Sequence, residues 1–136
     1  MPAVATYYQL LDSEINLRIG GDIDRTFTQS VPVAPVSGEG GVVTWMARRK
    51  ATGSVTYTVT LNGQELNTYT VSSTDRFAVQ ETIDTDQVKQ GDNDLVFTVT
   101  NGTGTLGLGD VMLWHRVNVL RTLQQSPATY RPRPGR

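Results

Sequence analysis

The strongest pattern of hydrophobic and polar positions lies between residues 54 and 72. In the segment 54–61, four apolar side chains alternate with threonines, and this period of two places the apolar side chains on one face of a strand. Asn62-Gly63 follows, a dipeptide that favours a tight turn because both residues tolerate positive φ. A second alternating run covers 66–72. Residues 54–72 are therefore predicted to form a β-hairpin.

Period-two alternation recurs along the rest of the chain, in segments 14–19, 76–80 and 95–100. Two further segments, 42–46 and 111–114, are apolar at nearly every position, which is typical of central strands covered on both faces. The pattern predicts an all-β fold, a two-sheet antiparallel β-sandwich (jelly roll) of roughly eight or nine strands. Helix is limited to two predicted single turns, at 84–90 and 116–125.

Composition supports the β assignment and excludes several classes of protein. The chain has 136 residues, which is the size of one domain, and its 19 Thr and 16 Val are β-branched residues suited to strands. The absence of Cys excludes a disulfide framework and thiol chemistry. No apolar run approaches the ~18 residues of a membrane span, and the first residues lack the features of a signal peptide. We therefore expect a soluble protein made in the cytoplasm, without a membrane partner.

Charge divides the chain at His115. Residues 1–115 carry seven basic and thirteen acidic side chains, whereas residues 116–136 carry five arginines and no acidic residue. Three prolines near the end exclude a helix or a central strand there and favour an extended, polyproline-like arm. The predicted organisation is an N-terminal arm (1–12), a jelly-roll domain (13–117) and an Arg/Pro-rich C-terminal arm (118–136).

The C-terminal arm is predicted to dock on a neighbouring protein subunit. Arginine pairs bidentately with carboxylates, and a tyrosine can anchor an arm in a pocket. A solvated terminal tail is the alternative. Nucleic acid is not favoured, because the arm has neither the aromatic platform of single-strand binders nor a groove-reading helix. The predicted interface residues are Arg121, Tyr130, Arg131, Arg133 and Arg136.

Candidates for catalysis are scarce. His115 is the only histidine, and on the strand predicted at 111–117 it shares a face with Val111 and Leu113, while Trp114 lies on the opposite face. This placement favours a histidine packed at the margin of the core over a general acid or base. The sequence shows no nucleophile motif, so we predict no catalytic residues, no cofactor and no enzyme activity.

Carboxylates occur in three Asp-x-Asp pairs, at 22/24, 84/86 and 92/94. All three lie at turn-like positions, where Asp is favoured because it caps elements and forms local hydrogen bonds. Paired carboxylates in a loop can also bind Ca²⁺, although no twelve-residue loop ending in a bidentate Glu is present. The turn interpretation is favoured and no metal ligand is assigned, with a structural Ca²⁺ left open.

A short motif lies at the entry to the strand predicted at 95–100, and it consists of Gly91, Asn93 and Leu95. After a Gly-rich link, a last strand begins with Asp110, Val111 and Leu113. The stretch 87–116 thereby resembles the closing half of galactose-binding-like jelly rolls, a fold of carbohydrate-binding modules. The resemblance implies sugar binding by aromatic residues on loops or on a concave face. The aromatic residues available for that role, or for the core, are Tyr7, Tyr8, Trp45 and Trp114.

Free-standing jelly rolls of this size with terminal arms also resemble the decoration and accessory proteins of bacteriophage capsids and tails. This likeness implies a non-catalytic structural subunit on the virion surface, made in the host cytoplasm. Its partners would be a capsid or tail protein and copies of itself. This is the first hypothesis for function, and a carbohydrate-binding module that recognises glycans is the alternative.

Overall fold

The computed structural model describes residues 3–36, 39–84 and 86–118. In this part of the chain, eight strands form two antiparallel four-stranded sheets, which confirms the predicted all-β sandwich. The strands are β1 (Ala3–Leu17), β2 (Asp24–Val31), β3 (Gly41–Arg49), β4 (Val55–Leu61), β5 (Gln64–Val71), β6 (Phe77–Ile83), β7 (Gly91–Gly102) and β8 (Leu106–Asn118). None of the described residues belongs to a helix that is long and apolar enough to cross a membrane.

The two sheets have different strand orders. Sheet A is ordered β1-β8-β3-β6, and sheet B is ordered β2-β7-β4-β5. The first and last described strands are therefore neighbours, with Ala3 opposite Asn118. The predicted hairpin 54–72 is present as β4 and β5. Its turn has positive φ at both Asn62 (51°) and Gly63 (84°), as a two-residue type I′ connection requires.

The inner faces of the two sheets form one apolar core, in which burial alternates along β3, β4 and β7 as the period of two predicts. Trp45, Tyr57 and Phe97 are the largest fully buried side chains. The indole Nε1 of Trp45 donates a 2.8 Å hydrogen bond to the hydroxyl of Tyr57, so two polar atoms deep in the core satisfy each other. Burial in this apolar environment raises the pKa of Tyr57.

The motif Gly91-x-Asn93-x-Leu95 connects β7 to the preceding loop. Leu95 lies in the core, and the Asn93 side chain is 1% exposed. The Asn93 amide donates to the carbonyl oxygens of Lys89 (2.8 Å) and Gly91 (3.0 Å). Its oxygen accepts 2.9 Å hydrogen bonds from the backbone N–H of Lys89 and from the side chain of Asn62. One buried side chain thus fixes the loop before β7 to the β4–β5 turn.

The structure differs from the sequence predictions for the N-terminal segment and for the two helical turns. Residues 3–12, assigned to an N-terminal arm, form the first part of β1 and pair with β8, since their backbone groups complete the edge of sheet A. The segment 84–90 forms turns and bends in its described part, and 116–118 end β8, so neither predicted helical turn is found among the described residues. The remainder of 116–125 and the arm residues Arg121, Tyr130, Arg131, Arg133 and Arg136 lie outside the described residues.

The segments 42–46 and 111–114 were predicted to be central strands covered on both faces; they are central, but the described residues cover their outer face only in part. Both lie on interior strands of sheet A, β3 and β8. The described residues contribute only two layers, so the outward side chains of Val42, Met46 and Trp114 remain half-buried. An apolar outer face on a two-layer sandwich needs a functional explanation.

Candidate functional site

An aromatic pair occupies the outer face of sheet A. Tyr7 on β1 lies directly opposite Trp114 on β8, and their ring centroids are 4.9 Å apart. Tyr7 is 57% exposed, more than the other exposed large apolar residues among those described. Of the four aromatic candidates from the sequence, these two therefore reach the surface together, whereas Trp45 is in the core and Tyr8 packs against the core.

Small and polar side chains surround the aromatic pair. Trp114 lines two adjoining cavities, of about 360 and 180 Å³, and both also contact Ala5 and Val42. The larger cavity extends to Thr44 and Gln80, whose hydroxyl and amide groups can bond to a ligand. We call this surface the Trp114 face; it consists of Ala5, Tyr7, Val42, Thr44, Gln80 and Trp114.

An ion pair lies at one end of the Trp114 face. Arg116 is the next outward residue after Trp114 on β8, and its Nη1 lies 3.0 Å from Oε1 of Glu39. Arg116 also lines the smaller cavity beside the indole ring. Its half-exposed guanidinium keeps donors free for a ligand, since only one contact to Glu39 is made among the described residues.

Behind the aromatic pair, on the inner side of sheet A, His115 stacks on Tyr8 with ring centroids 5.6 Å apart. His115 is 2% exposed, and burial lowers its pKa because the charged imidazolium is poorly solvated there. The predicted packing of this histidine at the margin of the core is confirmed. His115 also contributes to the lining of the smaller cavity, beside Trp114 and Arg116.

A charged cluster occupies the other end of the outer face. The carboxylate of Glu14 accepts two 2.8 Å hydrogen bonds from Nε and Nη2 of Arg48 on β3. Lys50 Nζ lies 3.1 Å and Arg76 Nη2 3.7 Å from the same carboxylate. Arg48 most strongly, and Lys50 after it, lower the pKa of Glu14 to about 2 against the opposing effect of burial. Glu14 is thus the ionised centre of the cluster.

Replacing Glu14 by Gln is expected to lower the free energy of unfolding at pH 7 by about 1 kcal/mol. A partly buried bidentate ion pair stabilises the folded state only slightly more than an exposed pair does. The folded-state pKa lies below the reference value of 4.5, so the contribution is full above that pH and is lost as the pH falls towards 2. When urea unfolding is measured at several pH values in this range, the free energy of unfolding should fall more steeply with decreasing pH in the wild type than in E14Q.

The control for this prediction is Glu65→Gln, which alters an exposed carboxylate on β5 whose side chain contacts only a threonine hydroxyl among the described residues. E65Q should keep the wild-type dependence on pH. Parallel acid profiles for the wild type and E14Q would show that the Glu14 cluster adds nothing to stability.

The Asp-x-Asp pairs do not assemble a metal centre in the described part of the chain. Asp22 and Asp24 both line a large cavity, of about 510 Å³, beside residues of β1 and β2. No group of three or more His, Cys, Asp or Glu side chains that could hold a metal ion occurs among the described residues. Asp94 instead accepts a 2.7 Å hydrogen bond from Thr28 on the adjacent strand. The large cavity also lacks an aromatic side chain, which distinguishes it from the Trp114 face.

Comparison with solved structures places the fold. The sandwich is similar to a family 36 carbohydrate-binding module domain of a multidomain xylanase from the hindgut metagenome of Trinervitermes trinervoides (TM-score 0.55, 12% identity, 81% of this chain and 96% of that one). It is also similar to a family 36 module in complex with calcium and xylotriose (TM-score 0.51, 10% identity, 84% and 99%). Latent PorU of Porphyromonas gingivalis contains a similar unit (TM-score 0.57, 11% identity, 85% of this chain), of which this chain spans 13%.

These comparisons show the type of fold, and they do not show which ligand the chain binds. No family model matches the sequence, and no curated protein matches it either. At 10–12% identity, the structural likeness shows a β-sandwich of the kind used by non-catalytic carbohydrate-binding modules. It supports the sequence resemblance to such modules. The phage context receives no support, since none of these three structures is a virion subunit.

Proposed function

We propose that this chain is a non-catalytic glycan-binding domain that holds its ligand on the Trp114 face. The observation that carries the proposal is the exposed Tyr7–Trp114 pair on the outer side of sheet A, where Trp114 lines two cavities with polar groups at their rims. Sites for small ligands commonly combine an apolar, aromatic wall with a few polar groups that fix orientation. The similarity of the fold to carbohydrate-binding modules supports the same function.

Sugar rings suit this arrangement for a physical reason. One side of a pyranose carries mainly C–H groups, and it stacks on an aromatic face with burial of apolar area from both partners. The hydroxyl groups at the edge of the ring remain available for hydrogen bonds. Thr44 and Gln80 on the Trp114 face supply donors and acceptors near the indole ring, and Arg116 at the end of this face supplies further donors. Each of these groups is at the surface, so binding requires little desolvation of charge.

Replacing Trp114 by Ala is expected to weaken glycan binding at least about tenfold, because a buried aromatic anchor contributes most of the affinity in such a site. The measurement uses affinity electrophoresis on xylan, β-glucan and mannan, and pull-down on cellulose and chitin. Tyr7→Ala should weaken binding as well. The matched control is Phe77→Ala, which removes another exposed aromatic, 40% accessible, that is not part of the Trp114 face.

Two results would contradict the proposal. The first is an absence of binding to the whole panel, or equal binding by wild type and W114A. The second is a concentration-dependent dimer in sedimentation velocity that W114A abolishes, because a second copy of the chain would then cover the face. The virion-subunit hypothesis stays a prediction from sequence, since its arm residues lie outside the described part of the chain.

A further inference from the structure

A second, polar depression lies on the same outer face of sheet A as Trp114. It has a volume of about 160 Å³, and Asp12, Met46, Arg76, Gly109 and Asp110 contribute to its lining. The outward positions of β8 in this region are glycines. A Cβ at Gly107 would come 2.7 Å from Oε2 of Glu14, so the missing side chain is what allows the Glu14–Arg48 pair to cross β8. The outer surface of sheet A is consequently recessed at the glycines, whereas the Trp114 side chain projects from it.

A bulge in β8 directs Asp110 into this depression. The pairing of β8 with β3 shifts register between Thr44 and Met46. At this point Asp110 adopts φ 49°, which non-glycine residues rarely do outside Asn and Asp. Bulges of this kind commonly reorient a side chain next to a functional site. The sequence motif marks Asp110 as the start of the last strand, and the geometry adds that its side chain leaves the regular alternation there.

Some polar groups of the depression are already engaged in ion pairs, and others can still form hydrogen bonds to a ligand. Glu14 is bound to Arg48 and Lys50, so its oxygens are already satisfied. Asp12 and Asp110 are exposed, and neither accepts a side-chain hydrogen bond from another described residue. Arg76 is 52% exposed and makes one long contact of 3.7 Å. Two carboxylates that accept and one guanidinium that donates suit vicinal hydroxyl groups, the polar signature of a sugar.

The depression and the Trp114 face are in line along β8. Met112 lies between Trp114 and Gly109 on the outward side, opposite Thr44. On β3 the same span, from Val42 opposite Trp114 to Met46 opposite Gly109, is four residues, so at about 3.3 Å per residue the two sites lie roughly 13 Å apart. One monosaccharide cannot bridge that distance, whereas an unbranched chain of sugars laid along the strand reaches both.

We propose that the Trp114 face and the Asp110 depression bind one ligand, an internal segment of a linear oligosaccharide that runs along β8. The proposal rests on the glycan-binding function and adds to it the class of substrate. Chain segments would be bound more tightly than single sugars or disaccharides, because only a longer ligand contacts both sites. Stacking on Trp114 would supply the anchor, and the hydroxyl contacts of Asp12, Arg76 and Asp110 would supply the dependence on length.

The test is calorimetric titration with xylo-, cello- and manno-oligosaccharides, from disaccharide to hexasaccharide. For the series that binds, affinity should rise at least about tenfold from the disaccharide to the longest chain, since charged groups form strong hydrogen bonds to hydroxyls. The double variant Asp12→Asn/Asp110→Asn should lose this gain and keep the affinity for the disaccharide. Asparagine tolerates the positive φ of residue 110, so the bulge should remain.

The control is Asp92→Asn, an exposed carboxylate on sheet B. It should bind every oligosaccharide as the wild type does. Binding that depends on Trp114 but not on chain length would overturn the two-site proposal and leave glycan binding intact, as would a double variant with the wild-type dependence on length. Failure of the wild type to bind any oligosaccharide would overturn both.

Discussion

Replacing Asn93 by Ala is expected to lower the free energy of unfolding by about 3 kcal/mol. The Asn93 side chain makes four hydrogen bonds of 2.8–3.0 Å in a buried position. Each contributes about 0.5–1 kcal/mol net, so the loss of all four accounts for about 3 kcal/mol. Urea or guanidinium denaturation followed by far-UV circular dichroism measures the change.

Two variants make this prediction specific. Asn93→Asp keeps the size of the side chain and one acceptor oxygen, but it directs a second oxygen at the carbonyl groups of Lys89 and Gly91 in place of the amide donor. Its stability should therefore be at most that of N93A. The control, Asn16→Ala, removes an exposed amide of β1 and should change the free energy by less than about 0.5 kcal/mol. Equal effects of N93A and N16A would show that the network is not important for stability.

Replacing Trp45 by Phe is expected to cost about 3 kcal/mol. The substitution removes part of a side chain that is 1% exposed and packed edge-on against Tyr57, Tyr69 and Phe97. It leaves a small cavity and also removes the donor to the Tyr57 hydroxyl, which then has no partner among the described residues. Both losses act on the folded state, so thermal and urea unfolding should report the same order of stabilities.

A double-mutant cycle separates packing from hydrogen bonding in this pair. Tyr57→Phe alone should cost about 1–2 kcal/mol, because the indole N–H of Trp45 becomes a buried donor without an acceptor. The double variant Trp45→Phe/Tyr57→Phe should cost less than the sum of the single variants, since neither polar atom remains to be desolvated. Strict additivity would contradict the hydrogen bond. Trp114→Phe is the matched control, and at this half-buried position on the outer face it should cost clearly less stability than Trp45→Phe.

The local parts of the fold were predictable, and the β4–β5 hairpin shows why. Strict alternation from 55 to 61 and an Asn-Gly turn depend only on neighbours in sequence, and the structure contains both. Residues 1–12 were assigned to an arm, whereas the described part of this segment belongs to β1. Register shifts occur between Gln9 and Leu11 and again before Glu14, and each shift obscures the period of two.

The site was predictable only in part. The alternation around His115 assigned Trp114 to the opposite side of β8, which is correct. The exposure of that side depends on whether a third layer covers sheet A, and strand periodicity carries no information on this. The pairing of Tyr7 with Trp114 joins residues at opposite ends of the sequence, so no local pattern indicates it. The single helical turn predicted at 84–90 is not found among the described residues, and the backbone of Lys89 in this segment is instead hydrogen-bonded to the Asn93 side chain.

The pairing of β1 with β8 has a mechanical consequence. Ala3 and Asn118 are opposite each other at one end of the sandwich, so a pulling force applied through both ends of the domain would separate these strands one hydrogen-bonded pair at a time. The fifth pair from that end is Tyr7–Trp114. A ligand that contacts both rings would therefore be released early under tension, long before the core around Trp45 opens. For the glycan site proposed above, tension on a domain tethered at both ends would therefore release the ligand while the core stays folded.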